Sequence, residues 1–217
     1  METLTPEKPK PKIYLPEVRK ILEEDIFLKW GLHQLEGIND EGNTLRHSQR
    51  ITNISYLLAK HFKYSEEDTE LAVQAGILHD IGKIEIDSSV LTKPSDIFSD
   101  EDLEIVSQHA LIGYGIVESR DPRLAIIILL HHEFQEKPYP KVDFEDLKVP
   151  PQDRELSRRL AMTDVFDRCA FGSKNIEPLP REKWKPRLIK QFNQSGDEEV
   201  IDFLMDQYEK IKELSGN

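Results

Sequence analysis

The chemistry of this chain centres on histidine and aspartate side chains, beginning with the adjacent pair His79 and Asp80. The preceding stretch, LAVQAGIL, repeats apolar residues at helical spacing, and His79 falls on its inward side. Both side chains need partners at a buried helix end, since burial removes their hydrogen bonds to water. A divalent cation would serve as that partner. In isolation, such a pair is more typical of an ordinary core histidine beside a helix-end aspartate, so the other histidines decide between the two interpretations.

Four further histidines fall on apolar helix stripes. His47 lies four residues before Ile51, and His109 lies three residues after Val106. Two more follow the apolar run LAIIILL, and an aspartate occupies a core-facing position in the helix predicted over about 153–171. The groups predicted to point inward are therefore His47, His79, Asp80, His109, His131, His132 and Asp164.

Seven such groups cannot share an apolar core without compensation, because each buried charge or unpaired ring nitrogen costs several kcal/mol. Metal ligation removes that cost. Imidazole and carboxylate ligands without sulfur favour iron, manganese, zinc, cobalt or nickel over calcium or magnesium. Seven ligands exceed the need of one tetrahedral ion, so the natural number is two ions roughly 3.5 to 4 Å apart that activate a bridging water for displacement at phosphorus. The alternative, a single structural zinc, would leave three ligands unused.

The elements that must position these groups are helices, because strand signals are nearly absent. We predict a helix from Pro16 to Trp30 ended by Gly31, a helix over about 43–62, and a central helix that Ser65 opens and Gly82 stops. Further helices are predicted over 103–117, over 122–130 from an Asp-Pro start, over about 153–171, and as a pair split near 196, with a long loop over 134–152. The predicted fold is an all-α helical bundle, with an arm over 1–15 and one domain over 16–217.

The composition limits the classes of partner. The chain has 217 residues, 41 acidic against 29 basic, and a net charge of −12, which argues against a sequence-independent nucleic-acid coat. Its only cysteine, Cys169, can form no internal disulfide and favours a reducing cytoplasm. The longest apolar run, 124–130, is far too short to span a membrane, and no secretion signal is visible. A small anionic substrate remains open, because bound metal ions supply local positive charge.

The ordered series HDIGK, H, HHE and D-x-x-D over about 43–190 resembles the metal-dependent phosphohydrolases of the HD superfamily. It is most similar to the HD-GYP branch, whose characterised members are cyclic di-GMP phosphodiesterases. The resemblance implies an HD-domain-like bundle, a dinuclear metal centre and a bridging water nucleophile. It also implies a small phosphoester or nucleotide substrate and leaves open a regulatory protein partner or a homodimer.

Carried over by position, the resemblance gives His47, His79 and Asp164 to one metal, and it makes Asp80 the bridge and a catalytic residue. It gives the second metal to His109, His131 and His132. Lys83 and Tyr139 would bind substrate, and Lys83 would also act in catalysis, although a lysine just past a helix end is nearly as typical of a plain C-terminal cation. We expect iron or manganese, with zinc, cobalt and nickel open. His33 and His61 are predicted to lie outside the site.

Two departures from the family pattern bear on function. The branch name calls for Gly-Tyr-Pro, but this chain has Pro138-Tyr139-Pro140, and Glu136-Lys137 replaces an upstream Asp-Gly. Asn43 stands where some members carry a glutamate for a third metal, so two metals are expected. The alternatives to a cyclic di-GMP phosphodiesterase are a nucleotide phosphohydrolase, a catalytically weak nucleotide-binding signalling module, and a di-iron oxygenase.

Overall fold

The computed structural model describes residues 13–40, 42–93, 97–135, 138–140, 147–173 and 176–216. In these ranges the regular structure is helical; no strand occurs, and a single isolated bridge joins Ser173 and Ile176. The predicted all-α fold is therefore confirmed. The helices are α1 (Pro16–Glu24), α2 (Ile26–Glu36), α3 (Asn43–His61), α4 (Glu66–Leu78), α5 (Ser88–Leu91), α6 (Asp100–Ser107), α7 (His109–Val117), α8 (Pro122–Leu130), α9 (Pro151–Phe171), α10 (Trp184–Gln191) and α11 (Asp197–Ser215), with short 3-10 helices at Ile81–Glu85 and Arg181–Lys183.

Two apolar clusters share the long helices α3 and α9. The first cluster takes Ile51 from α3 and Leu156 from α9, and packs them against α1, α2, α4 and α8. The second takes Ile54 and Met162 from the same two helices, and packs them against α10 and α11. Since α3 and α9 contact each other and reach both clusters, they fix the frame of the site.

The predicted helix from Pro16 to Trp30 is wrong, because the chain forms two helices there. The Asp25 backbone is extended, and its side chain accepts hydrogen bonds from Phe27 N and Leu28 N, which caps a new helix. Gly31 lies inside α2 rather than at its end. A side chain at this position would clash with Leu78, so the glycine permits α2 to pack closely on α4.

Gly82 does not stop the central helix, contrary to the sequence prediction. Helix α4 ends at Leu78, and Gly82 lies in the 3-10 helix that follows. A Cβ atom there would clash with the backbone carbonyl oxygen of His109 and lie 2.7 Å from Gly113 N. The glycine therefore lets the segment after Asp80 lie directly against α7, which brings Asp80 and His109 together.

The helix predicted over 103–117 is also divided, into α6 and α7. Ser99 and Asp102 form a capping box at the start of α6, and Asp121 caps α8 by accepting a hydrogen bond from Leu124 N, 3.0 Å away. The break at Gln108 makes His109 the first residue of α7. His109 therefore lies at a helix end, as do His79 after α4 and His131 after α8.

Several sequence predictions concern residues outside the described ranges. The predicted arm falls mostly on residues 1–12, and Glu136-Lys137 also lies outside. Of the arm's described part, Leu15 N donates to Asn53 Oδ1 at 2.9 Å, and Asn53 Nδ2 donates to the carbonyl of Ile13 at 2.8 Å. The division into an arm and one domain stays a prediction. None of the described helices has the length and apolar character needed to cross a bilayer.

Candidate metal centre

The seven predicted ligands come from five separate segments and meet in the interior. They lie in α3, directly after α4, at the start of α7, directly after α8 and in the middle of α9. None is more than 5% exposed. The convergence of these residues is an observation, and their roles as ligands remain predictions. The residues brought together are His47, His79, Asp80, His109, His131, His132 and Asp164.

The first group consists of His47, His79 and Asp164, each offering one ligand atom within 4.8 Å of the others. His47 Nε2 is 3.0 Å from Asp164 Oδ1 and 3.3 Å from His79 Nε2. Two imidazoles and a carboxylate at these separations form a donor set that could hold a divalent ion.

The second group joins Asp80 to His109, His131 and His132. The Nε2 atom of His109 is 3.3 Å from that of His131 and 3.2 Å from that of His132. Asp80 Oδ1 lies 3.2 Å from His109 Nε2. Three imidazoles therefore direct the same ring atom at one point beside a carboxylate oxygen.

Asp80 lies between the two groups. Its Oδ2 atom is 3.4 Å from His79 Nε2 and 3.9 Å from His47 Nε2, whereas its Oδ1 atom faces His109. Each carboxylate oxygen is thus directed at a different group, which is the geometry that a bridging ligand requires.

Hydrogen bonds to backbone carbonyls fix the tautomers of three histidines. The Nδ1 atoms of His79, His109 and His131 lie 3.0, 2.6 and 2.5 Å from the carbonyl oxygens three residues earlier in the chain. A carbonyl only accepts, so each Nδ1 carries the proton, and Nε2 of each neutral ring has a bare lone pair. Lone pairs that face each other at about 3.3 Å repel unless a cation lies between them.

Two carboxylate oxygens also indicate that a cation would bind among these side chains. Asp80 Oδ1 and Asp164 Oδ2 are buried and accept no hydrogen bond within the described residues. A buried acceptor of this kind is costly unless something compensates it. The bare imidazole nitrogens and the unpaired oxygens converge, so the donor set fits divalent metal ions.

Electrostatics keep most of these groups in the ionisation state that a metal needs. Burial lowers the pKa of His109 to about 4 and holds the pKa of His131 and His132 well below the usual value. Burial opposes ionisation of Asp80 and Asp164, but the neighbouring Lys83 and Arg168 respectively outweigh it and hold both carboxyl pKa values well below their usual range. At neutral pH these three rings are therefore neutral and these two carboxylates are charged, as metal ligation requires. His47 behaves differently from these three rings: burial lowers its pKa, but the nearby carboxylates outweigh that effect and raise it.

The sequence prediction assigned no role to Asp167 and Arg50, which support His47. Asp167 Oδ2 accepts a hydrogen bond from His47 Nδ1 at 2.7 Å, and Arg50 donates to both oxygens of this carboxylate at 2.6 and 2.8 Å. The D-x-x-D spacing and the Arg three residues after His47 were visible signals, but only the fold shows that these side chains meet. A carboxylate behind a metal-binding imidazole orients the ring and raises its basicity.

The two predicted substrate residues lie at the edge of the cluster. Lys83 Nζ donates to Asp80 Oδ2 at 2.5 Å, and the lysine also lines a groove of about 380 Å³ together with His33, Asn39 and Ser88. Tyr139 packs its ring on that of the ligand candidate His132, with centroids 4.3 Å apart. Both residues are placed where a ligand could touch them, and their substrate roles stay predictions.

The two histidines that were predicted to lie outside the site are both exposed. The His61 side chain is 44% exposed and packs against Phe203. His33 is an exposed residue of α2 at the groove. Neither belongs to the two groups of ligand candidates.

Comparison with known proteins gives a consistent result. The model of the HD domain family matches residues 44–172, more than half of the chain. The chain is 28% identical over 180 residues to the cyclic di-GMP phosphodiesterase response regulator RpfG of Xanthomonas campestris pv. campestris, covering 81% of this chain and 46% of the relative. It is 32% identical over 145 residues to a cyclic di-GMP phosphodiesterase of Thermotoga maritima, covering 64% and 38%.

A third relative is named for a different substrate. The chain is 27% identical over 173 residues to the 3'3'-cGAMP-specific phosphodiesterase 2 of Vibrio cholerae, covering 76% of this chain and 31% of the relative. The chain spans less than half the length of each of these three relatives. All three are named as phosphodiesterases of cyclic dinucleotides.

Proposed function

This chain belongs to the HD domain family, and from that premise we propose that it is a metal-dependent phosphodiesterase that hydrolyses a cyclic dinucleotide. Cyclic di-GMP is the first substrate to test, because the relatives from Xanthomonas and Thermotoga are named for it. The Vibrio relative makes 3'3'-cGAMP the second.

The observation that carries this proposal is the position of Asp80. Its two oxygens face two different groups of ligand candidates, with Oδ1 3.2 Å from His109 Nε2 and Oδ2 3.4 Å from His79 Nε2. A shared carboxylate favours a pair of ions over one structural zinc, which would use four ligands and leave three buried groups uncompensated. We propose iron or manganese in both sites, with zinc, cobalt and nickel as alternatives.

The chain's own residues would hold and orient the reaction centre. His47, His79 and Asp164 would bind one ion, Asp80 would bridge, and the second ion would be bound by His109, His131 and His132. When bound, two ions of this kind supply Lewis acidity at phosphorus and lower the pKa of a water nucleophile towards neutrality.

Lys83 and Tyr139 would contact the substrate. Lys83 contacts Asp80 and also lines the 380 Å³ groove. Its ammonium group could therefore bind a phosphate at the metal centre while the groove binds another part of the ligand. The volume lies within the usual range for small-molecule sites. Polar groups of His33, Asn39 and Ser88 line the same groove and could bind a nucleobase edge.

We also propose that residues 16–217 form one catalytic domain, since α3 and α9 contribute to both apolar clusters. The free and buried Cys169 supports a reducing cytoplasm as the place of action. A regulatory partner protein or a homodimer stays a prediction.

The decisive experiment purifies the protein without oxygen, measures its metals, and follows cleavage of cyclic di-GMP and 3'3'-cGAMP. We expect about two ions per chain and hydrolysis of at least one of these substrates. Asp80→Ala should abolish both properties. Binding without turnover across iron, manganese, zinc, cobalt and nickel would refute the enzyme and favour a signalling module. Oxygen consumption by an iron form that cleaves no phosphoester would favour a di-iron oxygenase.

A further inference from the structure

Arg168 is a charged residue beside the metal centre to which neither the sequence nor the proposed function assigns a role. It lies one helical turn after Asp164 on α9, and its Nε atom donates to Asp164 Oδ1 at 2.9 Å. Its side chain is 42% exposed, whereas Asp164 is fully buried. Arg168 therefore connects a ligand candidate to solvent.

The hydrogen bonding of Arg168 differs from that of the buried arginines. Arg50 and Arg158 each donate through Nε and a terminal nitrogen to both oxygens of one aspartate, and their side chains are at most 10% exposed. Arg168 donates through Nε alone, and its two terminal nitrogens have no hydrogen-bond partner in the described part of the chain. A planar pair of N–H donors is thus free to bind an external acceptor, and phosphate oxygens match this geometry.

The charge of Arg168 acts on the same groups that would surround a reacting phosphate. The carboxylates of Asp164 and Asp80 both raise the pKa of its guanidinium, which stays fully protonated. The charge of Arg168 also acts on the hydroxyl group of Tyr139, whose ring packs on His132. Lys83 provides a second cation, which is paired with Asp80. In a chain with a net charge of −12, these two residues supply positive charge where an anionic ligand would meet the metal centre.

We propose that Arg168 is a substrate-binding residue whose terminal guanidinium nitrogens donate hydrogen bonds to the phosphate oxygens of the ligand at the metal centre. This inference rests on the proposed function, because it assigns a further phosphate contact to the same site. Nε would remain on Asp164 while the two terminal nitrogens bind the ligand, so binding need not break the ion pair that orients Asp164.

The test compares Arg168→Gln and Arg168→Lys with wild type in the metal-loaded protein, using inorganic phosphate as the probe and calorimetric titration as the readout. Metal content is measured on the same samples. For Arg168→Gln we expect an unchanged metal content and at least a tenfold rise in the Kd for phosphate, equivalent to about 1.4 kcal/mol. Arg168→Lys keeps the charge but lacks the planar pair of N–H donors, so its Kd for phosphate should lie between those of wild type and Arg168→Gln. The control is Arg181→Gln, since Arg181 is 55% exposed and paired with Glu209. This variant should leave the phosphate Kd and the metal content unchanged.

An unchanged phosphate Kd in Arg168→Gln at full metal occupancy would overturn the inference. If the variant loses metal, the titration is repeated at a metal concentration that restores occupancy, and a wild-type Kd there would mean that Arg168 only positions Asp164. Phosphate binding does not require turnover. A wild-type protein that cleaves no cyclic dinucleotide but loses phosphate affinity on Arg168→Gln would refute the proposed function and leave this inference standing. Cleavage of cyclic di-GMP with a KM that Arg168→Gln leaves unchanged would refute the inference alone.

Discussion

Asp167→Asn should destabilise the metal-free protein and weaken its metal binding, and the two effects can be separated. The Asp167 side chain is fully buried, and its partner Arg50 is 10% exposed. Asparagine keeps the volume but removes the charge, so the guanidinium of Arg50 is left buried without its carboxylate. Breaking a buried ion pair in this way costs about 3–5 kcal/mol. For a domain of this size, each kcal/mol lowers Tm by about 2–4 °C, so the expected fall is roughly 6–20 °C.

The same substitution removes the charged acceptor behind His47 Nδ1, 2.7 Å away. Loss of such a supporting carboxylate typically costs 10–100-fold in metal affinity. Stability is measured by thermal unfolding of the metal-free protein, followed by circular dichroism. Affinity is measured by titration of Mn²⁺ against a competing chelator.

Two further variants separate the effects. The double variant Asp167→Asn with Arg50→Gln removes both charges, so it should recover most of the lost Tm while the metal affinity stays low. Asp197→Asn is the matched control, because Asp197 forms a similar buried pair with Arg158, with Nε 3.0 Å from Oδ1, and touches none of the ligand candidates. It should lose Tm and keep its metal affinity. A fall in Tm below about 2 °C for Asp167→Asn, or equal metal affinity in all variants, would refute this reasoning.

Three further results are expected. Asp80→Ala should remove bound metal measured by mass spectrometry, whereas His33→Ala and His61→Ala should retain it; equal losses would leave no basis for sorting the histidines. Acidifying the metal-free protein from pH 6.5 towards 4 should lower Tm. Burial keeps the pKa of His109 at about 4, so in this pH range only the unfolded chain takes up a proton at this ring, and the folded state loses about 1.4 kcal/mol of stability per pH unit for each such ring. A constant Tm would contradict this. Gly82→Ala should unfold or strongly destabilise the protein, because the added methyl group would clash with the His109 carbonyl. Gly115 has open space around it, so Gly115→Ala should stabilise α7 by about 0.5–1 kcal/mol. Similar Tm values for the two variants would contradict the packing argument.

The sequence predicted the helical class and the residues that converge because both depend on local patterns. Apolar spacing placed His47 and Asp164 on inward faces, and the capping residue Ser65 marked the start of α4. The breaks at Asp25 and Gln108 were missed because helical periodicity continues across them. At Asp25 an extended backbone and a side-chain cap begin a new helix, and apolar spacing does not show this change.

The partners that support the site were missed for a similar reason. Asp167 and Arg50 are 117 residues apart in sequence, so no local pattern links them. The sequence analysis assigned no role to Arg168, because the significance of this residue depends on which of its hydrogen-bond donors are already used. Sequence spacing shows which face a residue occupies, but it does not show which hydrogen bonds that residue has left to form.

The candidate ligand histidines differ in what orients their rings. Local carbonyl contacts three residues back hold His79, His109 and His131, so correct folding of α4, α6 and α8 already directs these rings. His47 instead depends on Asp167, which comes from another helix and is itself held by Arg50. The group that contains His47 must therefore be the more sensitive to substitutions outside the ligand set. A loss of one metal ion with retention of the other is the result that this asymmetry requires for Asp167→Asn, since the three histidines of the second group do not touch that carboxylate.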